Sequence, residues 1–274
     1  MINALSVDLE YWWSIEFIEN CISKEKGDFI IESVEPLLNL LDAYDVNATF
    51  FVSGMVAEKY PDLISEIYMQ GHEIGCHGYA HKTLSNLGEI GFEEDLTKAM
   101  RYLGRYHPRG YRAPSFSLTN DTIWALEILI KYGYMYDSSV FPVKTSLYGV
   151  PNAPLRVYRP CKHDISLHDP QGSIIEFPLT VLKIGTNIPI AGGFYLRALP
   201  VGFLKWGIHR VNRDKRPAVI YVHPWEAYPK IPKAHMSLSK RIITYYGINS
   251  TLKKLEELLK ELKFKSIQEV LYDL

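Results

Sequence analysis

The sequence predicts an α/β fold in which a parallel sheet or barrel is wrapped by helices. Two observations predict it. Short β-branched or aromatic runs alternate, through the first half of the chain, with stretches of helical apolar spacing at the period of βα units. Ionisable residues stand where those strands should end, which is where parallel α/β folds carry their chemistry. Composition agrees. A chain that is 47% hydrophobic and 22% charged is neither disordered nor repetitive, and a net charge of −1 leaves no basic excess for a nucleic-acid partner.

The elements follow in order. Residues 2–7 (INALSV) read as a buried first strand ending at Asp8. Residues 30–44 repeat apolar side chains at Ile30, Val34, Leu37, Leu38 and Leu41, the spacing of one helix face. The run NATFFV at 47–52 is a second strand. Pro61 opens a helix through Met69, with Gly71 just past its end. Residues 73–76 form a third strand, 92–103 a helix and 110–112 the end of another strand. Thr119 or Asn120 can cap a helix running to Lys131, followed by Gly133. The second half is less regular: 173–179 and 218–223 are strands, 151–160 is a loop rich in proline, and 250–262 is an amphipathic helix.

Three cysteines without close spacing argue against a disulfide framework and for a reducing compartment. The first ten residues, MINALSVDLE, lack the basic and apolar regions of a secretory signal. No window reads as an integral membrane span, since even 174–194 contains Glu176 and Lys183.

The strand ends supply the candidate site. Asp8 and Glu10 lie two residues apart, so on a continuing strand both carboxylates share one face. They would repel without a cation or an arginine between them. His77 and His81 have H-x3-H spacing, which on a helical turn lets both imidazoles reach one metal. With Glu10 or Asp8 they make a two-histidine, one-carboxylate site with open positions. Arg112 sits in RGYRAPSF, where Pro114 holds the chain extended; its guanidinium can orient and ionise a nearby acid. His223 ends the strand AVIYVHPWE, and Asp137, in YDSSVFP, can be the acid that keeps it charged. The other histidines, His72 among them, have no partner spacing and read as structural or surface residues.

Together these segments resemble the NodB-homology polysaccharide deacetylases, carbohydrate esterase family 4. SVDLE, HGYAH, RAPSF, DSSVF and YVHPWE are similar to five family motifs in order. SVDLEYW, ATFFVSG, EFPLT and AGGFYLRALP resemble most the branch associated with exopolysaccharide and exosortase loci. The resemblance implies a NodB-like, distorted (β/α)7 barrel over 1–274, one domain with a C-terminal extension from about residue 225. It implies a divalent metal, foremost zinc, and removal of acetyl groups from N-acetylated amino sugars of a glycan or its lipid-linked precursor. By position it makes Asp8 the base, Glu10, His77 and His81 the metal ligands, and Arg112 the residue that orients Asp8. His223 becomes the acid, Asp137 the residue that tunes it, and the Ser115 N–H an oxyanion donor. Leu9 stands where the family usually has its acidic ligand, and Gly78 where it has Ser or Thr. The expected setting is the cytoplasm, at the inner membrane face. The rival readings are an amidohydrolase of the same fold acting on a small non-sugar amide, and a non-catalytic glycan-binding barrel.

Overall fold

A computed structural model describes residues 1–15, 18, 21, 26–145, 148–190 and 192–274. Strand β1 (Ile2–Leu9) is buried along nearly its whole length, as its apolar run requires. It is followed by α1 (Ile30–Ala43), β2 (Thr49–Val52), α2 (Gly54–Lys59), α3 (Pro61–Met69), β3 (Glu73–Cys76), α4 (Leu84–Leu103) and β4 (Gly110–Tyr111). Helix α5 (Trp124–Lys131) leads to β5 (Tyr136–Asp137). The second half adds the antiparallel pairs β6 (Pro160–Cys161) with β7 (Asp164–His168) and β9 (Val181–Ile184) with β10 (Thr186–Pro189), on either side of β8 (Ile175–Glu176). Then come α6 (Phe194–Ala198), α7 (Val201–Arg213), β11 (Val219–Val222), α8 (Leu238–Tyr245), α9 (Thr251–Leu259), β12 (Lys263–Lys265) and α10 (Ile267–Tyr272).

The main sheet runs β11-β1-β2-β3-β4-β5-β8, every pair parallel, and β12 pairs with the start of β1 (Ile2–Ala4) on the edge opposite β11, the edge that β2 takes from Ser6 onward. The curled sheet with its outer helices is the NodB-like barrel. Between β8 and β11 the ladder is interrupted. There the Thr180 hydroxyl donates to the Val219 carbonyl and accepts from the Val219 N–H, and Gly192 makes a single bridge to Tyr221. This is the physical content of "distorted": one seam is closed by a side chain and a bridge instead of strand pairing.

Alternation along the strands sorts the core into two layers. Leu5, Val7 and Leu9 of β1, Phe50 and Val52 of β2, and Ile220 and Val222 of β11 pack outward against the helices. Ala4, Phe51, Tyr136, Val219 and Tyr221 pack inward. The same parity turns Ser6, Asp8 and Glu10 toward the interior, together with Arg112 after β4 and His223 after β11.

Candidate active site and metal centre

The ends of β11, β1, β3 and β4 converge on one pocket of about 290 Å³, lined by Asp8, Glu10, His77, His81, Ser115 and His223 among others. Glu10 faces both histidines: its Oε2 lies 3.4 Å from His77 Nε2 and against His81 Nε2. One ligand atom from each of the three residues falls within 4.8 Å of the others. Both Glu10 oxygens are buried and accept no hydrogen bond. Each histidine donates Nδ1–H to a backbone carbonyl, His77 to Arg112 at 2.7 Å and His81 to Ser14 at 3.1 Å. That fixes both rings from behind, so each Nε2 faces the carboxylate, the way metal-ligating histidines are oriented. Burial pushes the Glu10 carboxyl up, but the facing His81 and His77 outweigh it and hold it well below the usual carboxylate range. A buried carboxylate with no donor and two oriented imidazoles fits a divalent cation with nitrogen and oxygen ligands.

The turn carrying the histidines is not helical, as H-x3-H spacing had suggested. Gly78 and His81 both have left-handed backbone, at φ 68° and 55°. The Asp95 carboxylate accepts from the Tyr79 N–H at 2.6 Å and the Ala80 N–H at 3.1 Å. A side chain at 78 would bring its Cβ to 2.8 Å from that carboxylate, which explains glycine there.

Asp8 is held by Arg112, whose buried guanidinium donates to Asp8 Oδ1 at 2.6 Å, to the Ser6 hydroxyl at 2.8 Å and to the Ser138 carbonyl and hydroxyl at 2.9 Å. The Phe51 ring packs against the guanidinium at 4.2 Å. Ser115 lies at the pocket wall with left-handed backbone at φ 54°. His223 Nε2 stands 3.9 Å from Asp8 Oδ2 and 3.8 Å from Glu10 Oε1, because β11 pairs directly with β1.

The acid expected to tune His223 is not the one that touches it. Asp137 follows the inward-facing Tyr136, so alternation turns it to the opposite face of the sheet. There it accepts from the Ser139 N–H and hydroxyl and abuts Glu176. Burial, and then the Asp137 charge, push Glu176 well above the usual carboxylate range. The carboxylate on His223 is Glu226, which accepts Nδ1–H at 2.8 Å and the His223 backbone N–H at 3.0 Å. Burial disfavours the charged ring, but the charge and hydrogen bond of Glu226 outweigh it and lift the His223 pKa to about 9. Glu226 is in turn held by Arg197, 2.7 Å from its Oε1. Burial opposes its ionisation, yet Arg197 and His223 bring the carboxyl down to about 2. Glu226 has a sequence signal, an acid three residues after the strand-ending His223, the capping-box spacing. Arg197 has none, since its partners lie 29 to 49 residues away.

Residues 27–136 match the family model of the polysaccharide deacetylases. Residues 138–272 match a domain of unknown function, DUF3473. The chain is 35% identical over 101 residues to a peptidoglycan-N-acetylglucosamine deacetylase of Bacillus cereus, covering 35% of this chain and 37% of that protein. It is 34% identical over 107 residues to a peptidoglycan deacetylase of Helicobacter pylori, covering 38% and 36%. Over these segments the chain is similar to polysaccharide deacetylases. A solved structure described as a proposed polysaccharide deacetylase of Mycobacterium smegmatis shares the fold, with a TM-score of 0.65 at 19% identity, over 98% of this chain and 88% of that one. The chain spans little more than a third of the length of these two curated relatives. Within it, the deacetylase match takes in His77, His81 and Arg112, whereas Asp8 and Glu10 precede it. Arg197, His223 and Glu226 fall in the DUF3473 match.

Proposed function

We propose that this chain is a metal-dependent N-deacetylase acting on N-acetylated amino sugars of a polysaccharide or its precursor. One observation carries the reading. A buried Glu10–His77–His81 triplet adjoins an arginine-held carboxylate, Asp8, and a carboxylate-held imidazole, His223, in a single pocket. Amide hydrolysis needs those parts: a cation site, a proton acceptor and a proton donor. Glu10, His77 and His81 would hold the ion, zinc by the chemistry of the donors, and it would supply Lewis acidity to water and to the amide carbonyl.

Asp8, aimed by Arg112, takes a proton from the attacking water. The Ser115 N–H faces the oxygen on which negative charge develops. His223 then delivers its proton to the sugar nitrogen as the C–N bond breaks, which gives acetate and a free amine. Segments within the DUF3473 match resemble the exopolysaccharide-associated branch, and on that ground we favour an exopolysaccharide or its lipid-linked precursor as substrate. We also read 1–274 as one catalytic domain with an extension from about 225, a reading supported by the return of β12 to β1. Asp8→Asn tests the division of roles: zinc should still bind one per chain, while acetate release falls to background. Loss of zinc in that variant would make Asp8 a ligand and the scheme wrong.

A further inference from the structure

We propose that the DUF3473 half of the chain positions the proton donor: Arg197 holds Glu226, and Glu226 sets the direction of the His223 ring. The inference rests on the deacetylase reading above. Arg197 is 2% exposed, and all three guanidinium nitrogens are used. Nε donates to Glu226 Oε1 at 2.7 Å. One terminal nitrogen donates to the carbonyls of Thr244 at 3.1 Å and Tyr246 at 2.5 Å, the other to that of Ile243 at 2.6 Å. The three carbonyls belong to the end of α8, and Ile243 itself lines the pocket. Arg197 is fixed from behind as well. Lys254 of α9 donates to the carbonyls of Leu196, Arg197 and Leu199 at 3.3, 2.6 and 2.7 Å, tying down the end of α6.

Glu226 passes this order on. With Oε1 taken by Arg197, Oε2 receives both the ring and the backbone N–H of His223. Trp225 stacks on the same ring, centroids 5.2 Å apart and planes 27° apart, and Tyr221 meets it edge-on. The imidazole is left with one free nitrogen, and it points at Asp8 and Glu10. Only a planar, multi-donor cation can reach four acceptors in this arrangement, so lysine at 197 would keep the charge and lose the fork.

The test is a double-mutant cycle on the full-length, zinc-loaded enzyme. Arg197→Met and Glu226→Gln should each lower kcat by about 10- to 100-fold, part of the usual contribution of a positioned proton donor. KM and bound zinc should stay near their starting values, and Arg197→Lys should recover only part of the loss. In a His223→Ala background the same two substitutions should cost less than about threefold, because the group they position is gone. Equal losses in both backgrounds, or an undiminished kcat in Glu226→Gln, would overturn the proposal. Glu226→Gln keeps Arg197 in place, so it carries the test if Arg197→Met does not fold. The cycle reads coupling on whichever amide the enzyme hydrolyses, so failure of the sugar-deacetylase reading would be seen separately, as absence of acetate from acetamido sugars.

Discussion

At the scale of single residues, parity and burial decide what each candidate can do. Asp8, Glu10, Arg112 and His223 all sit at inward positions, and their candidacy could be read from strand ends, while the roles proposed for them come from the resemblance. Asp137 was expected beside His223 from its strand-end position as well as from the resemblance, but it lies one residue out of phase with the interior. His223→Ala should cut turnover by roughly 10²–10⁴, because the sugar amine leaves poorly unless protonated. Unchanged turnover on an acetamide would remove this residue from the mechanism. His72 shows burial acting alone. Its Nδ1 accepts the Ala48 N–H at 3.2 Å, and burial presses its pKa down to about 4. The folded value lies below the unfolded one of about 6.5. The unfolded chain therefore binds a proton the native state refuses, and stability that is complete above pH 6.5 is lost as pH falls toward 4. Urea unfolding at pH 6.5 and 5 should show this loss, and His72→Asn should be less stable at pH 6.5 but flatter between the two. Equal slopes would show that His72 does not titrate differently on folding.

At the scale of elements, the first half was legible and the second was not. The helices α1 and α3 and the strands β2 and β3 fall within a residue or two of their apolar patterns, because each buries one regular face. β8 spans two residues where an apolar run had suggested 173–179, since the ladder breaks there and the chain leaves the sheet to form β9 and β10. Helices α6, α7, α8 and α10 and strand β12 were not foreseen. α7 buries Leu204, Ile208 and Val211 at helical spacing, but Gly202, Gly207 and four basic residues blur the pattern. The structure gives the pair Gly192-Gly193 a reason. Gly192 has φ +150°, and a Cβ there would stand 1.9 Å from the Tyr221 carbonyl oxygen, on the strand that carries His223. Gly192→Ala should therefore cost about 2–5 kcal/mol, backbone strain together with steric overpacking. A urea-unfolding free energy lowered by less than about 1 kcal/mol would mean that this approach is not needed for folding.

At the scale of the whole molecule, the barrel gathers groups that are remote in sequence. β1 leads into Asp8 and Glu10, β3 into His77 and His81, β4 into Arg112, and β11 into His223. The matched deacetylase segment holds only part of this set; the remainder comes from the first ten residues and from the DUF3473 half. Among the described residues no helix is long and apolar enough to cross a membrane. The pocket joins the candidate cation site to an aromatic wall that includes Phe116, Tyr148, Tyr195 and Trp225, surfaces on which a sugar ring can stack. The most direct measurement is acetate release from a panel of N-acetylated sugars and oligosaccharides, set beside a small ring amide such as a ureide, with zinc-loaded and chelator-treated enzyme. The account predicts acetate from at least one acetamido sugar, lost on chelation and restored by zinc. Zinc bound one per chain with no acetate from any sugar, or hydrolysis of the ring amide alone, would contradict it.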